Sequence, residues 1–345
     1  MSRFRSRRSA ETACYNRSAM VRQSLQEKVA RLKELAALPC TDDALNEIRQ
    51  ALSSKSSAIA AAAANGAAKL RLCRLTPEIV AMFNRFLENP VKTDSGCRAK
   101  LAAVEALNAI DYAEADVFLK GIRHFQMEPS FGPPVDTADH LRAACAAGLY
   151  RIGYSELLCE LVSLMTDREP VARRASIMIL TDVGQESCEL LLRLKVLQGD
   201  KVPEIIGDCF NGLMTIAPAR SLTFVEQFLS SDDLSTAEEA ALAIGNSRHE
   251  SAYARLLEFR NRSITPAYKR MLLLPIALTR CDEAFGYLLQ VVRDEHQDYA
   301  AAAVEALSIY CDNPQRRAQI SRTVADRGDR CVTAAYQKVL LQAKS

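Results

Sequence analysis

A run of small residues recurs along this chain and limits what it can fold into. Ala-Val-Glu-Ala-Leu stands at 103–107 and again at 303–307, each time inside an Ala-rich stretch. Related runs lie between them at 142–149, 173–180, 206–213, 238–244 and 270–278. Aligned on Leu107, Leu149, Leu180, Leu213, Ile244, Leu278 and Leu307, the copies are 42, 31, 33, 31, 34 and 29 residues apart. A degenerate earlier copy runs through Ala58–Leu72. Self-similarity at this period means an array of supersecondary units, none of which can bury its apolar face alone.

Each unit reads as two helices. A break near Gly153, Gly184, Ala217-Pro218 or Asp282 follows the small-residue run. A second run then shows apolar residues at three- and four-residue spacing, as in Leu157-Leu158 with Leu161-Val162, or Leu288-Leu289 with Val291-Val292. Turns with acids, such as Thr166-Asp167, Gly199-Asp200, Asp232-Asp233 and Asp294-Glu295, close the units. No alternating β-branched run with hairpin turns stands out, so the chain reads as all-α. Ala, Gly, Ser and Cys in the first helix allow close approach to its neighbours. Cys145 and Cys209 sit where other copies carry Ala103, Ser176, Ala240 and Ala303, and read as small buried hydrophobes.

The alternating pairs, the period near 32 and segments such as Pro170-Val-Ala-Arg-Arg-Ala175 and Ala303-Val-Glu-Ala-Leu307 resemble short HEAT repeats, closest to the bacterial units named after phycobilisome lyases. The likeness covers residues 55–313. It implies a right-handed α-α superhelix, a solenoid of about seven or eight helix pairs across 21–345, with 315–345 as a capping region. Such arrays serve as scaffolds, adaptors, lyases and glycosylases, so the resemblance leaves function open.

One interval is about ten residues longer than the rest, and Phe125–Asp136 accounts for it. Pro129, Pro133 and Pro134 cannot continue a helix, so the segment reads as a loop. It is a tolerated insertion or, because Phe125, Met127, Phe131 and Val135 are apolar for a loop, an interaction lip.

Composition excludes several classes of function. The 345 residues carry a net charge of only +2, but the signs are segregated. Residues 1–33 sum to +7, 315–345 to +5 and the body between them to −10. An acidic body repels phosphate. The absence of Trp argues further against a nucleic-acid clamp built on aromatic stacking. Residues 1–20 read as a flexible basic arm that could touch nucleic acid, anionic lipid or an acidic protein surface. An organelle transit peptide is the alternative for that segment. The eleven cysteines are odd in number, contain no C-x-x-C and follow no signal-peptide core, which fits reduced thiols in the cytoplasm. No stretch is long and apolar enough to span a bilayer.

Catalytic motifs are missing. No phosphate-binding loop, nucleophile elbow or dinucleotide fingerprint appears. Of four histidines only His249 precedes a Glu, which fails the repeated His-Glu pattern of the HEAT-type deoxyhypusine hydroxylases. No metal, cofactor or small-molecule site is expected. The reading is a non-catalytic scaffold that grips a protein on its concave surface through Lys100, Arg142, Arg173, Asp208, Asn211 and Glu239, with Phe131 on the lip. A phycobilin-lyase-like chromophore chaperone and a nucleic-acid binder acting through residues 1–20 are the alternatives. Lys100, Arg142, Arg173 and Arg174 lie on successive small-residue helices and either form a basic ladder or pair with acids such as Glu105, Asp167 and Glu169.

Overall fold

The computed structural model describes residues 24–39 and 41–342, so the basic segment 1–20 lies outside the described residues. The chain separates into two compact units, 1–176 and 177–345. In the first unit α1 (24–35) and α2 (Asp42–Leu52) precede α3 (Ser57–Lys69) and α4 (Thr76–Leu87). A short α5 (Pro90–Thr93) leads to α6 (Arg98–Ala109) and α7 (Asp116–Ile122). A β-hairpin, β1 (Met127–Glu128) and β2 (Val135–Asp136), precedes α8 (Asp139–Arg151) and α9 (Leu157–Met165). Helix α10 (Pro170–Val183) carries the chain from one unit into the next.

The second unit continues with α11 (Glu186–Gln198), α12 (Pro203–Ile216), α13 (Pro218–Glu226), α14 (Leu234–Ser247) and α15 (Ala252–Arg262). Next come α16 (Pro266–Met271), α17 (Leu273–Leu278), α18 (Asp282–Asp294), α19 (Gln297–Ala306), α20 (Pro314–Arg327) and α21 (Arg330–Gln342). Within each unit the small-residue helices stack on one another: α3, α6 and α8 in the first, and α12, α14, α17, α19 and α21 in the second. They also pack on the helices that precede them, as α12 does on α11 and α19 on α18. The described residues thus form an all-α helical repeat, as the sequence period requires.

Local chemistry sets the helix ends. Proline opens α5, α10, α12, α13, α16 and α20 at the first helical position, where the missing N–H costs nothing. Thr41, Asp233 and Asn313 accept backbone N–H bonds as N-caps of α2, α14 and α20. The small-residue helices end in a left-handed residue: Arg71, Asp111, Gly153, Gly184, Arg248 and Arg280 have φ between 48° and 66°. After α3, α6 and α8 this brings a backbone N–H back to the helix, from Leu72 to Ala67, Tyr112 to Leu107 and Tyr154 to Leu149. Helices α12 and α19 depart from the pattern: α12 stops at Ala217-Pro218, and α19 runs on into a tighter 3-10 turn at Leu307–Tyr310.

Small residues do the close packing their repetition suggests. A Cβ on Gly148 would overlap the Phe118 ring of α7, and one on Gly121 would overlap the Cys145 sulfur of α8. In the second unit a Cβ on Gly245 would run into the Pro275 carbonyl. Cys145 and Cys209 are fully buried. Burial pushes the Cys209 thiol up to about 12 and the Cys145 thiol well above its ordinary range, so both act as small hydrophobes.

The inserted segment 125–136 is more ordered than a loop. Met127 pairs with Asp136 and Glu128 with Val135 in an antiparallel hairpin. Two-residue strands among prolines are too short for a period-two pattern to reveal them.

Candidate functional site

The basic residues expected on a surface are buried instead. Asp94 accepts the Ala99 and Lys100 N–H groups at the start of α6, and its carboxylate takes the Lys100 Nζ at 2.9 Å. Both side chains are fully buried, and Lys100 Nζ also donates to the Phe86 carbonyl. Arg142 is likewise fully buried. Its guanidinium grips Asp167 through two bonds of 2.7 and 2.9 Å, holds Asp136 at 2.8 Å and donates to the His124 carbonyl. Arg173 is buried and donates to the Asp167 and Arg168 carbonyls. The expectation that Lys100, Arg142 and Arg173 line a partner-facing surface is corrected: Lys100 and Arg142 neutralise buried acids, and Arg173 binds backbone carbonyls in the turn ahead of α10. Lys100 pairs with Asp94 rather than with Glu105, while Asp167 does bind Arg142.

The acids follow a rule that the basic ladder obscured. Asp136, Asp167, Asp200 and Asp233 each precede a small-residue helix and accept the backbone N–H two residues on, from Ala138, Glu169, Val202 and Ser235. Asp94 occupies the corresponding turn ahead of α6. In the first unit the basic partner stands six residues after the acid at Lys100 and Arg142, a spacing that reading each helix alone could not reveal.

The foot of the hairpin belongs to this buried polar layer. Gln126 N donates to Asp136 Oδ1, while its side-chain amide donates to the Asp94 carbonyl and to Glu128. Glu128 also receives the Gly96 N–H and the Ser95 and Thr137 hydroxyls. Desolvation pushes the Glu128 carboxyl up, but these donors outweigh it and hold it below its ordinary value. At Asp136 burial also raises the carboxyl, and the Ala138 and Gln126 N–H groups with Arg142 bring it below the usual range. Burial lowers the half-buried His124 beside this layer.

Above that foot the hairpin is apolar and exposed. Phe131 projects fully into solvent, and Phe125, Met127 and Val135 are each about half exposed or more. The Phe125 ring lies over the Arg142 guanidinium at 4.4 Å, tying the apolar edge to the buried charges. A groove of about 540 Å³ runs between Phe125 and α9, with Ile122, Glu156, Cys159 and Leu164 along it. Phe125 also borders a smaller groove of about 360 Å³ lined by Met127, Asp136, Arg168 and Glu169.

The remaining expected residues meet in the second unit. Asn211 donates to the Gly207 carbonyl, and Glu239 of α14 lies over Gly207 so closely that a Cβ there would overlap its carboxylate. Asp208 adjoins Gly207 on α12. Asp208, Asn211 and Glu239 are all half-buried, so they share a partly exposed patch on two neighbouring helices. The sequence places them by residue type, but the glycine that lets the two helices meet is visible only in three dimensions. Among the described residues, no three His, Cys, Asp or Glu side chains gather into a group able to hold a metal. No helix among them is long and apolar enough to cross a membrane.

No family model matches this chain, and no curated protein does. Among solved structures it is similar to the karyopherin Kap121p, with 14% identity and a TM-score of 0.47 over 92% of this chain and 43% of that one. The chain therefore spans less than half the length of Kap121p. It is also similar to an engineered protein at 17% identity and a TM-score of 0.36, covering 92% of this chain and 94% of that one. The complex of CpcE and CpcF of phycocyanin lyase from Nostoc matches at 12% identity and a TM-score of 0.34, over 84% of this chain and 96% of that one.

Proposed function

We propose that this chain is a non-catalytic, HEAT-type scaffold that holds a protein partner in a cytoplasmic assembly, with the 125–136 hairpin as its gripping edge. One observation carries the reading: Phe125, Met127, Phe131 and Val135 stand exposed on a hairpin whose foot is locked by buried hydrogen bonds. Exposed aromatic and aliphatic side chains on a fixed support offer apolar area with little ordering left to lose on binding. Aromatic anchors of this kind dominate binding energy at protein interfaces. The Asp208, Asn211 and Glu239 patch is a second, polar contact in this reading.

Affinity capture with the full chain tests it. Deleting the hairpin would strip Asp136 from Arg142 and disturb the fold, so the tip is altered instead. The Met127→Ser, Phe131→Ser chain keeps its unfolding midpoint and loses about tenfold or more of the captured partner. Equal capture by the altered and original chains overturns the reading.

A further inference from the structure

The hairpin tip and the groove beside it suit each other chemically, yet they do not meet within one molecule. From Pro129 to Val135 the tip carries no charged residue. Three prolines fix its backbone, the Ser130 hydroxyl donates to the Pro133 carbonyl, and Phe131 stands wholly in solvent. The groove of about 540 Å³ has Ile122, Phe125 and Leu164 as its apolar wall, with the exposed Cys159 along it. Its charges come close to cancelling. Arg123 pairs with Glu160, and Arg142 with Asp136 and Asp167. Beyond those pairs, Glu156 and Glu169 stand against Arg168 and Arg173. Such a groove suits an uncharged apolar occupant, which strands no charge away from water. The molecule's own tip does not fill it, because the hydrogen-bonded foot holds the hairpin with Phe131 in solvent.

We propose that the partner gripped by the hairpin is a second copy of this chain, each copy setting Phe131 into the other's groove. Tip and groove belong to one unit. A two-fold axis midway between them carries each tip onto the other copy's groove, which closes the contact. Area selects this arrangement over a one-way contact. Met127, Phe131 and Val135 together expose about 400 Å². Covering an equal area of groove, one junction buries about 800 Å², the size of a weak contact, and two bury about 1,600 Å², the size of a standard stable interface. The proposal rests on the hairpin being the gripping edge and names what it grips.

Sedimentation of the purified full-length chain should show a dimer at micromolar concentration. Phe131→Ser removes both anchors and should weaken that dimer about a hundredfold. Cys159→Arg, which fills the groove from an exposed position, should do the same. Mixing the two variants restores one intact junction, so the mixture should dimerise about tenfold more tightly than either variant alone. A side chain at Gly132 meets nothing nearer than the Ser130 hydroxyl at 4.0 Å. Gly132→Cys should therefore leave the tip in place and, under mild oxidation, crosslink two copies through Cys159, and adding Cys159→Ser should stop it. A monomer at these concentrations, or no gain on mixing, overturns the proposal. Larger oligomers do so too, because the contact then fails to close. If the chain is monomeric while Phe131→Ser still abolishes capture of a different protein, the self-pairing falls and the hairpin reading stands.

Discussion

The two units satisfy the same turn acid in different ways. In the first, the small-residue helix that follows the acid supplies the cation for Asp94 and Asp136, through Lys100 and Arg142, and Arg142 also reaches forward to Asp167 in the next turn. In the second, the position six residues after Asp200 is Ile206, and Lys195 at the end of the preceding helix supplies the charge instead, at 2.8 Å. Six residues after Asp233 stands Glu239, which packs over Gly207, and Asp233 is exposed and capped by Ser235 and Thr236 alone. The acid that orders the turn is the recurring element. A cation is added where that acid is buried, from whichever helix can reach it, because an uncompensated buried carboxylate costs far more than a solvated one.

That contrast can be broken experimentally. Arg142→Met leaves two buried carboxylates, Asp136 and Asp167, without their cation and should cost about 3–5 kcal/mol in denaturant unfolding. Lys195→Met abandons a single buried carboxylate, Asp200, and should cost about 1–3 kcal/mol. A larger loss at Lys195 than at Arg142 would contradict the view that the number of carboxylates left without a cation sets the cost.

Glycines sharpen the comparison next. Gly245→Ala drives a methyl into the Pro275 carbonyl, which is backbone and cannot turn aside, so a loss of about 2–3 kcal/mol is expected. Gly207→Ala meets only the end of the Glu239 side chain, which can swing outward, and should cost less than about 1 kcal/mol. Thermal unfolding of the two variants side by side decides whether backbone or side chain limits each contact.

Acid should act on the first unit through Asp136 and Glu128. Their carboxyls are held below the ordinary range in the fold, so their contribution is present above that range and fades as pH falls through their folded values. Stability measured across the acid range should therefore lose less on acidification in an Asp136→Asn chain than in the original. Equal slopes would remove Asp136 from the account. The smallest effect expected is a gain. Arg248 holds a left-handed conformation that glycine adopts without strain, so Arg248→Gly should add about 0.5–1 kcal/mol.

The repeats were legible because Leu149, Leu180, Leu213 and Ile244 are core positions that recur at intervals of 31, 33 and 31 residues, and all four are fully buried. Lys100 and Arg142 were not. A cation in an Ala-rich helix reads as a solvated face, and its burial depends on an acid in a turn outside that helix. Helices α7 and α15 follow from the two-helix unit rather than from a clear apolar spacing of their own, for different reasons. The first is only seven residues long, and the second is strongly polar, with Arg255, Glu258, Arg260 and Arg262 among its eleven residues. The apolar character of Phe125, Met127, Phe131 and Val135 was visible in the sequence. The hydrogen-bonded foot that fixes them was not, because it joins Gln126 and Glu128 to the distant Asp94 turn.

Site-specific photocrosslinking tests the central claim most directly. A benzophenone side chain placed at position 131, on the exposed hairpin tip, should give a discrete adduct with a partner protein. The same probe at the exposed position 187 on α11 should give none. Adducts of equal yield at both positions, or none at 131, would contradict the hairpin as the gripping edge.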